Sequence, residues 1–159
     1  MTTRVYVPST LPRLARLLAI GGLGPAPVTA HAVTDAVRAE VGGEEDQEYA
    51  VAQAAALASL ALLDDGPARR VVLAVDVDAV HVSGGEDATE VEVREEVPLR
   101  RVAAVLADSA DGERLVVRAR AALGTPEEDR ALDRLADQEL GWWAVQEADV
   151  LLAGAGPQG

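Results

Sequence analysis

The stretch Arg70–Val77 constrains the fold of this chain more than any other segment. It reads Arg-Val-Val-Leu-Ala-Val-Asp-Val, so apolar residues follow one another with almost no polar alternation. A strand of this composition is usually buried on both faces, because an exposed face would show a polar residue at every second position. We therefore predict that Arg70–Val77 lies in the middle of a β-sheet.

Three helices are predicted between a short first strand, residues 4–7, and this central strand. Thr10 and Thr34 are residues of the type that caps a helix N-terminus, and apolar residues follow each of them at helical spacing. The third helix is predicted over residues 44–63 and is rich in Ala. Residues 21–27 contain several Gly and Pro and are predicted to form a loop.

More strands and two helices are predicted after the central strand. Residues 80–93 alternate apolar and polar side chains around a Gly-Gly turn, as a half-exposed hairpin does, and Val102–Ala107 is another apolar strand. Helical spacing returns over residues 113–123. A last helix is predicted to start at Thr125-Pro126-Glu127-Glu128, with Thr125 as the cap, and Gly141-Trp142-Trp143 interrupts or closes it.

The predicted order of elements is β-α-α-α-β-β-β-α-α. Strands grouped between helical runs predict an α+β fold, with a small mixed β-sheet of about four strands and helices packed mainly on one face. A chain of 159 residues fits one domain. We assign residues 1–153 to this domain and predict a disordered C-terminal tail over residues 154–159.

Charge and composition argue against several classes of function. The chain has 27 acidic and 14 basic residues, so its formal net charge is −13. Phosphate backbones and anionic lipids attract a basic surface, so we expect neither direct nucleic-acid binding nor membrane binding. Cys is absent, which excludes disulfides and cysteine metal sites and fits a cytoplasmic protein. We expect no cofactor.

Motifs of catalysis are also missing. The chain has no Lys, which rules out Schiff-base chemistry and a phosphate-binding P-loop lysine. Its Ser residues lack a nucleophile-elbow context, and its adjacent carboxylates point in different directions on a helix or strand. We therefore lean towards a protein that is not an enzyme.

Three aspartates are weak candidates for a metal site. Asp76 and Asp78 share one face of a strand, and Asp108 follows another apolar strand. If the two strands were parallel, a hard cation such as Mg²⁺ would find three carboxylates at one sheet edge. The simpler interpretation is that these carboxylates face solvent at strand ends, and we expect no metal.

Two arginine pairs, Arg69-Arg70 and Arg100-Arg101, each precede a strand in this acidic chain. Guanidinium groups bind phosphate or carboxylate through paired hydrogen bonds, so these four residues are candidates for an anion or ligand site. More often, such arginines offset neighbouring acidic side chains.

The most distinctive dipeptide is Trp142-Trp143, in a chain that is 3% aromatic. On a helix these side chains would point about 100° apart, so Trp143 would fill the core and Trp142 would cover an edge. An exposed Trp is alternatively a hot spot for binding a protein partner.

Several stretches of the chain resemble a known family. Near the N-terminus they are Val5-Tyr6-Val7-Pro8-Ser9-Thr10-Leu11-Pro12 with Leu14 and Ala15, and Leu23-Gly24-Pro25-Ala26-Pro27 with Thr29–Val33. Further along the chain they are Glu48-Tyr49-Ala50, Arg69–Asp76, Val97-Pro98-Leu99, Val102–Asp108, and Glu139-Leu140 with Trp142 and Gln146-Glu147. The family consists of small acidic actinobacterial proteins and is a domain of unknown function. The resemblance covers nearly the whole chain, implies a cytoplasmic location, and supplies no catalytic residues.

The leading hypothesis is a non-enzymatic, acidic cytosolic module that binds and regulates another protein. Opposite potentials speed encounter, so a partner with a basic surface is expected. A first alternative is a small enzyme or a ligand- or metal-binding domain with its site at the ends of the sheet. A second alternative is a structural homo-oligomer, in which the Ala-rich segment Ala50–Leu63 packs against a second copy.

Overall fold

A computed structural model describes residues 2–154. The helices are α1 (Leu11–Ile20), α2 (Asp35–Glu40), α3 (Glu44–Leu62), α4 (Ala110–Ala122), α5 (Glu128–Ala136) and α6 (Ala148–Gly154). The strands are β1 (Thr3–Ser9), β2 (Gly22–Leu23), β3 (Val28–His31), β4 (Val71–Val77), β5 (His81–Val82), β6 (Glu90–Val93), β7 (Val97–Pro98), β8 (Val102–Ala107) and β9 (Gly141–Trp143). Short 3₁₀ turns cover Leu99–Arg101 and Val145–Glu147.

Seven of the strands within residues 2–154 form one sheet, in the order β5-β6-β3-β1-β4-β8-β9. Every neighbouring pair in this sheet is antiparallel. The central strand β4 lies between β1 and β8, and six of its seven residues are buried. The prediction that Arg70–Val77 lies inside a sheet is therefore confirmed, as is the hairpin of β5 and β6.

The α+β class is confirmed, but the sheet differs from the expected small mixed sheet of about four strands. It is larger because β3, β5 and β9 have only two to four residues each, too few for a readable alternation. β2 and β7 pair separately, and β2 lies inside the segment predicted to be a loop. Pairing within residues 2–154 is wholly antiparallel rather than mixed.

Helices cover both faces of the sheet, which differs from the prediction that they pack mainly on one. On one face, the odd-numbered residues of β4 pack with α1 and α6, as in the cluster that contains Leu73, Leu14 and Leu151. On the other face, Val72 of β4 packs against Ala55 and Ala56 of α3. A strand that is apolar on both faces needs a cover on both, because each uncovered face would leave apolar area in water.

A smaller cluster joins α4 and α5 to the C-terminal end of α3. Its buried members are Ala68, Val116, Ala119 and Leu135, and Leu60 and Leu63 pack against them. None of the described helices is both long enough and apolar enough to cross a membrane. Gly154 is the last residue of α6, and residues 155–159 of the predicted disordered tail lie outside the described residues.

Two of the predicted helix caps are confirmed and one is wrong. The Thr10 hydroxyl accepts a hydrogen bond from Arg13 N at 3.2 Å, and the Thr34 hydroxyl accepts one from Val37 N at 3.3 Å. Thr125 lies in the turn before the helix, where its hydroxyl donates to the carbonyl oxygen of Ala122 at 2.6 Å and accepts from Glu127 N at 3.2 Å, and Glu127 occupies the cap position. The next helix therefore begins three residues later, at Glu128.

Candidate functional site

The two tryptophans lie on the edge strand β9 rather than on a helix. Trp142 is paired with Leu106 of β8, and Trp143 with Val105. Successive residues of a strand point to opposite faces, so the side chains diverge by about 180° instead of 100°. Trp143 packs against the main core, whereas 68% of the Trp142 surface is exposed.

A cavity of about 160 Å³ lies on the α3 face of the sheet, and its lining includes Leu106, the β8 residue that is paired with Trp142. Leu140 and Tyr49 also line it, and 53% of the Tyr49 surface is exposed. Glu139 adds a carboxylate to the rim. We call these five residues, Trp142, Leu140, Leu106, Tyr49 and Glu139, the Trp142 surface.

Gln53 of α3 connects Tyr49 of this surface to α5. Its side-chain amide donates hydrogen bonds to the Tyr49 hydroxyl at 2.9 Å and to the carbonyl oxygen of Ala136 at 3.2 Å. The second bond joins α3 to the last residue of α5, which precedes β9 in the chain. The exposed aromatic groups are thus carried on a connected scaffold of helix and strand.

The four predicted anion-binding arginines do not come together. Arg70 is buried and forms a bidentate ion pair with Asp108, with Nε–Oδ2 and Nη2–Oδ1 both at 2.9 Å. Arg101 pairs with Asp78 at 3.1 Å, and Arg69 pairs with Glu113 at 2.9 Å. Arg100, the fourth, is exposed on a separate groove.

Arg69 has one feature that its pairing does not explain. Its side chain is only 6% exposed, and the Nη2 atom is buried without a hydrogen-bond partner among the described residues. The neighbouring cluster of α4 and α5 is apolar around Ala68. A buried water molecule is the usual partner for such a group.

The three candidate metal ligands are separated, and each carboxylate is paired with an arginine. Because β4 and β8 are antiparallel, Asp108 lies at the opposite end of the sheet from Asp76 and Asp78. Asp76 pairs with Arg4 at 2.7 Å. Within residues 2–154, no group of three or more His, Asp or Glu side chains is arranged to hold a metal ion. The parallel geometry that motivated this site is wrong.

Tyr6 is held as a neutral hydroxyl on the α3 face of the sheet. It is half-buried, and its hydroxyl donates to Glu48 Oε2 at 2.8 Å. Burial, together with the adjacent carboxylate, raises the pKa of Tyr6 to about 12. The side chain therefore fixes α3 to β1 and stays protonated at physiological pH.

A much larger groove, of about 1720 Å³, was not predicted from the sequence. It opens where β1 and β3 diverge: the two strands are paired at Tyr6 and His31 only, whereas β1 pairs with β4 along seven residues. Pro8 has no N–H to donate, so it cannot extend a ladder towards β3. The Gly- and Pro-rich segment 21–27 lines the opening, and so does α1.

His31 is the titratable group at the base of this groove. Its Nδ1 lies 2.7 Å from the Thr89 hydroxyl oxygen, and that hydroxyl donates to Asp87 Oδ1 at 2.7 Å. Since the hydroxyl hydrogen is directed to Asp87, Nδ1 carries the proton that bonds Thr89. Burial lowers the pKa of His31, although Asp87 and Glu90 oppose the shift. A neutral imidazole results.

The match to a family model decides what this chain is. The model of a family of unknown function, DUF6912, matches residues 3–152. The chain belongs to DUF6912. No curated protein and no solved structure matches it.

Two of the concave regions formed by residues 2–154 of this DUF6912 chain differ in chemistry. The Trp142 surface offers aromatic and apolar groups with an acidic rim, and Trp142 was singled out from the sequence. The groove between β1 and β3 offers arginines and a neutral histidine. Its only local sequence signals are Pro8 and the Gly- and Pro-rich segment 21–27, which predict a break in pairing but no ligand.

Proposed function

We propose that this DUF6912 protein is a non-enzymatic, acidic cytoplasmic module that binds a partner protein through the Trp142 surface. The observation that carries the proposal is the 68% exposure of Trp142, whose strand partner Leu106 lines a cavity together with Leu140 and Tyr49. Trp is normally well buried, and it is the residue type most enriched among interface hot spots. An exposed Trp next to a depression supports a role in docking.

The distribution of aromatic side chains supports the same conclusion. The chain has only two Trp and two Tyr residues and no Phe. Trp143 and Tyr6 pack against core clusters, whereas Trp142 and Tyr49 are exposed, and both exposed rings belong to the Trp142 surface. Half of the aromatic residues are thus presented to solvent in one place.

Charge favours a partner with basic residues around an apolar anchor. Glu139 lies on the rim, and the first turn of α3, which precedes Tyr49, carries Glu44, Glu45 and Asp46. The net charge of −13 adds a long-range attraction for a basic protein and a repulsion for nucleic acid. The absence of Cys is consistent with the cytoplasm.

Docking is expected to use side chains rather than an added β-strand. The edge strand β9 has three residues and the opposite edge strand β5 has two, and such short edges offer few backbone groups to a new strand. The Ala-rich face of α3 is also committed, because Ala55 and Ala56 pack on Val72 of the same chain. Part of the segment that suggested a homo-oligomer is therefore covered within one copy, whereas Leu57 in the same segment is 60% exposed.

Site-specific photo-cross-linking in the native host tests the proposal. A photoreactive amino acid replaces Trp142 in one variant and Val82 in a control; Val82 is also 68% exposed but lies on the opposite edge strand. We expect a distinct protein to cross-link at position 142 and not at position 82. Cross-links to a second copy from position 142, or an identical set of proteins at both positions, would contradict the proposal.

Affinity measurements with the purified partner then test the mechanism. Trp142→Ala should weaken binding by about 30-fold, the effect of losing roughly 2 kcal/mol at a hot spot. Val82→Ala should leave the affinity unchanged. The association rate should fall as salt is added, because screening weakens the attraction between an acidic and a basic protein. Equal affinity of the two variants would rule out the Trp142 surface.

A further inference from the structure

The groove between β1 and β3 contains three arginines with no ion pair to any residue in 2–154: Arg13, Arg16 and Arg100. Four arginines elsewhere, Arg118, Arg120, Arg130 and Arg134, also form no ion pair among the described residues, so the groove is distinguished by gathering three such side chains in one place. Seven other arginines do pair with carboxylates: Arg4, Arg38, Arg69, Arg70, Arg94, Arg101 and Arg114. All three groove arginines are exposed, so their guanidinium groups are available to a ligand.

Two separate elements bring these cations to the groove. Arg13 and Arg16 are one turn apart on α1, so their Cβ atoms are about 5–6 Å from each other on the same face. Arg100 belongs to the 3₁₀ turn Leu99–Arg101, which is fastened to the C-terminal end of α1 by a hydrogen bond from Leu99 N to Gly21 O at 2.9 Å. The groove therefore receives two arginines from α1 and one from the 3₁₀ turn beside the C-terminal end of α1.

Acidic side chains divide the groove. Asp87 and Glu90 lie near His31, where Asp87 accepts hydrogen bonds from the Thr89 N–H and hydroxyl groups. Burial favours the neutral acid, but the two hydrogen bonds from Thr89 outweigh it and lower the pKa of Asp87, so it stays charged. Glu96 is exposed on the rim beside β7. An anion is thus repelled from the His31 end and directed to the α1 end.

We propose that the α1 end of this groove binds a small multivalent oxyanion, held by Arg13, Arg16 and Arg100. Planar guanidinium groups pair with phosphate or carboxylate oxygens through two parallel N–H···O bonds. A ligand with more than one anionic group can pair with arginines of α1 and of the 3₁₀ turn at the same time. The groove exceeds the roughly 300–1,000 Å³ of an ordinary ligand pocket, so an organic portion has room against Leu17 and Leu23.

This site is independent of the Trp142 surface, because the two share no residue. Failure of one proposal therefore leaves the other standing. Arg70 is the more deeply buried arginine, but its charge is balanced by Asp108, so it is not available to bind an anion.

Calorimetric titration of the purified full chain with inorganic pyrophosphate and with citrate tests the proposal, at constant ionic strength. We expect saturable binding of at least one probe and a rise in melting temperature that grows with probe concentration. Pyrophosphate binding alone identifies a phosphate ligand, and citrate binding alone a carboxylate ligand. Sulfate at matched ionic strength controls for general stabilisation by excluded salts.

Matched variants show whether binding belongs to this groove. Arg13→Gln, Arg16→Gln and Arg100→Gln should each weaken binding about tenfold, and the triple replacement should abolish it. Arg118→Gln is the control, since Arg118 is equally exposed, lies on α4 and is not part of the groove. Absence of saturable binding, or an equal loss in the Arg118 variant, would overturn the proposal.

Discussion

The carboxylate of Asp108 is held by both the side chain and the backbone of Arg70. Besides the two guanidinium bonds at 2.9 Å, Asp108 Oδ2 accepts a hydrogen bond from Arg70 N at 2.8 Å. Both side chains are almost fully buried. Arg70 Nη2 also donates to the carbonyl oxygen of Gln138 at 3.2 Å, so one ion pair connects the start of β4, the end of β8 and the approach to β9.

Removing one partner of this pair should destabilise the protein strongly. Asp108→Asn leaves the Arg70 guanidinium buried without a counter-charge, and we expect a loss of about 3–5 kcal/mol in the free energy of unfolding in urea. The double replacement Arg70→Met with Asp108→Leu should lose less, because no charge remains buried. Asp35→Asn, in the exposed pair with Arg38, is the control and should leave the unfolding midpoint unchanged.

Gly112 is predicted to be required by the same ion pair. A Cβ atom at this position would lie 2.9 Å from Asp108 Cγ and closer still to Oδ1, so the carboxylate would have to move. We expect Gly112→Ala to cost about 1–3 kcal/mol of unfolding free energy, although Ala normally favours a helix. Gly154→Ala, where no atom of residues 2–154 lies within 4 Å of the new methyl, should not destabilise the protein.

Ser59 should be required for joining α3 to the sheet. Its fully buried hydroxyl donates to Ser9 O at 2.7 Å and accepts from Val71 N at 3.0 Å. Ser59→Ala would leave both backbone groups without that partner, and we expect it to lower the free energy of unfolding by about 1–3 kcal/mol. Ser83→Ala, at an exposed turn position, should be neutral; equal effects of the two changes would contradict this account.

Replacing each tryptophan in turn should distinguish a contribution to folding stability from a role in partner binding. Trp143→Ala removes a ring that packs on the main core, and we expect a loss of about 2–4 kcal/mol in urea unfolding. Trp142→Ala should change the unfolding free energy by only about 0.5 kcal/mol, because most of the ring is already in water. A large loss of stability in the Trp142 variant would show that this ring belongs to the core.

Stability should fall as the pH drops through the titration of His31. Burial lowers its folded-state pKa below the ordinary value of 6.5, so the unfolded chain takes up the proton first. The contribution of His31 is complete above about pH 6.5 and is lost by the time the pH is below the folded-state pKa.

Urea unfolding between about pH 7.5 and pH 5 measures this slope. His31→Gln should show a shallower decline than the wild-type chain, because Gln does not titrate. His81→Gln replaces an exposed histidine on β5 and should retain the wild-type slope. Parallel curves for wild-type protein and the His31 variant would contradict the prediction.

Local chemistry made several elements predictable. The caps at Thr10 and Thr34 depend on a hydroxyl and an N–H three residues later, so the information lies within one turn of chain. The central strand was predictable because burial on both faces leaves an unbroken apolar run. The third helix matched its predicted range to within one residue.

Sequence patterns predicted the wrong structure where pairing with a strand distant in sequence determined the local structure. Helical spacing of Leu132, Leu135 and Leu140 predicted one helix up to the tryptophans, yet α5 ends at Ala136 and the chain joins β8 as a strand. The three-residue strand β9 exists because the longer strand β8 supplies its hydrogen bonds, and the two-residue strand β5 depends on β6 in the same way. Strand direction likewise separated Asp108 from Asp76, and no local residue encodes that direction.

The sequence by itself determined the α+β class, the buried central strand and the caps at Thr10 and Thr34, because each depends on residues close together in the chain. Only the tertiary structure decided which tryptophan faces water, which arginines pair with a carboxylate and which line the groove between β1 and β3. Those outcomes depend on contacts between segments far apart in sequence, such as Arg70 with Asp108. Arg13 and Arg100 meet at one groove for the same reason, since the pairing of strands rather than the chain order sets their neighbours.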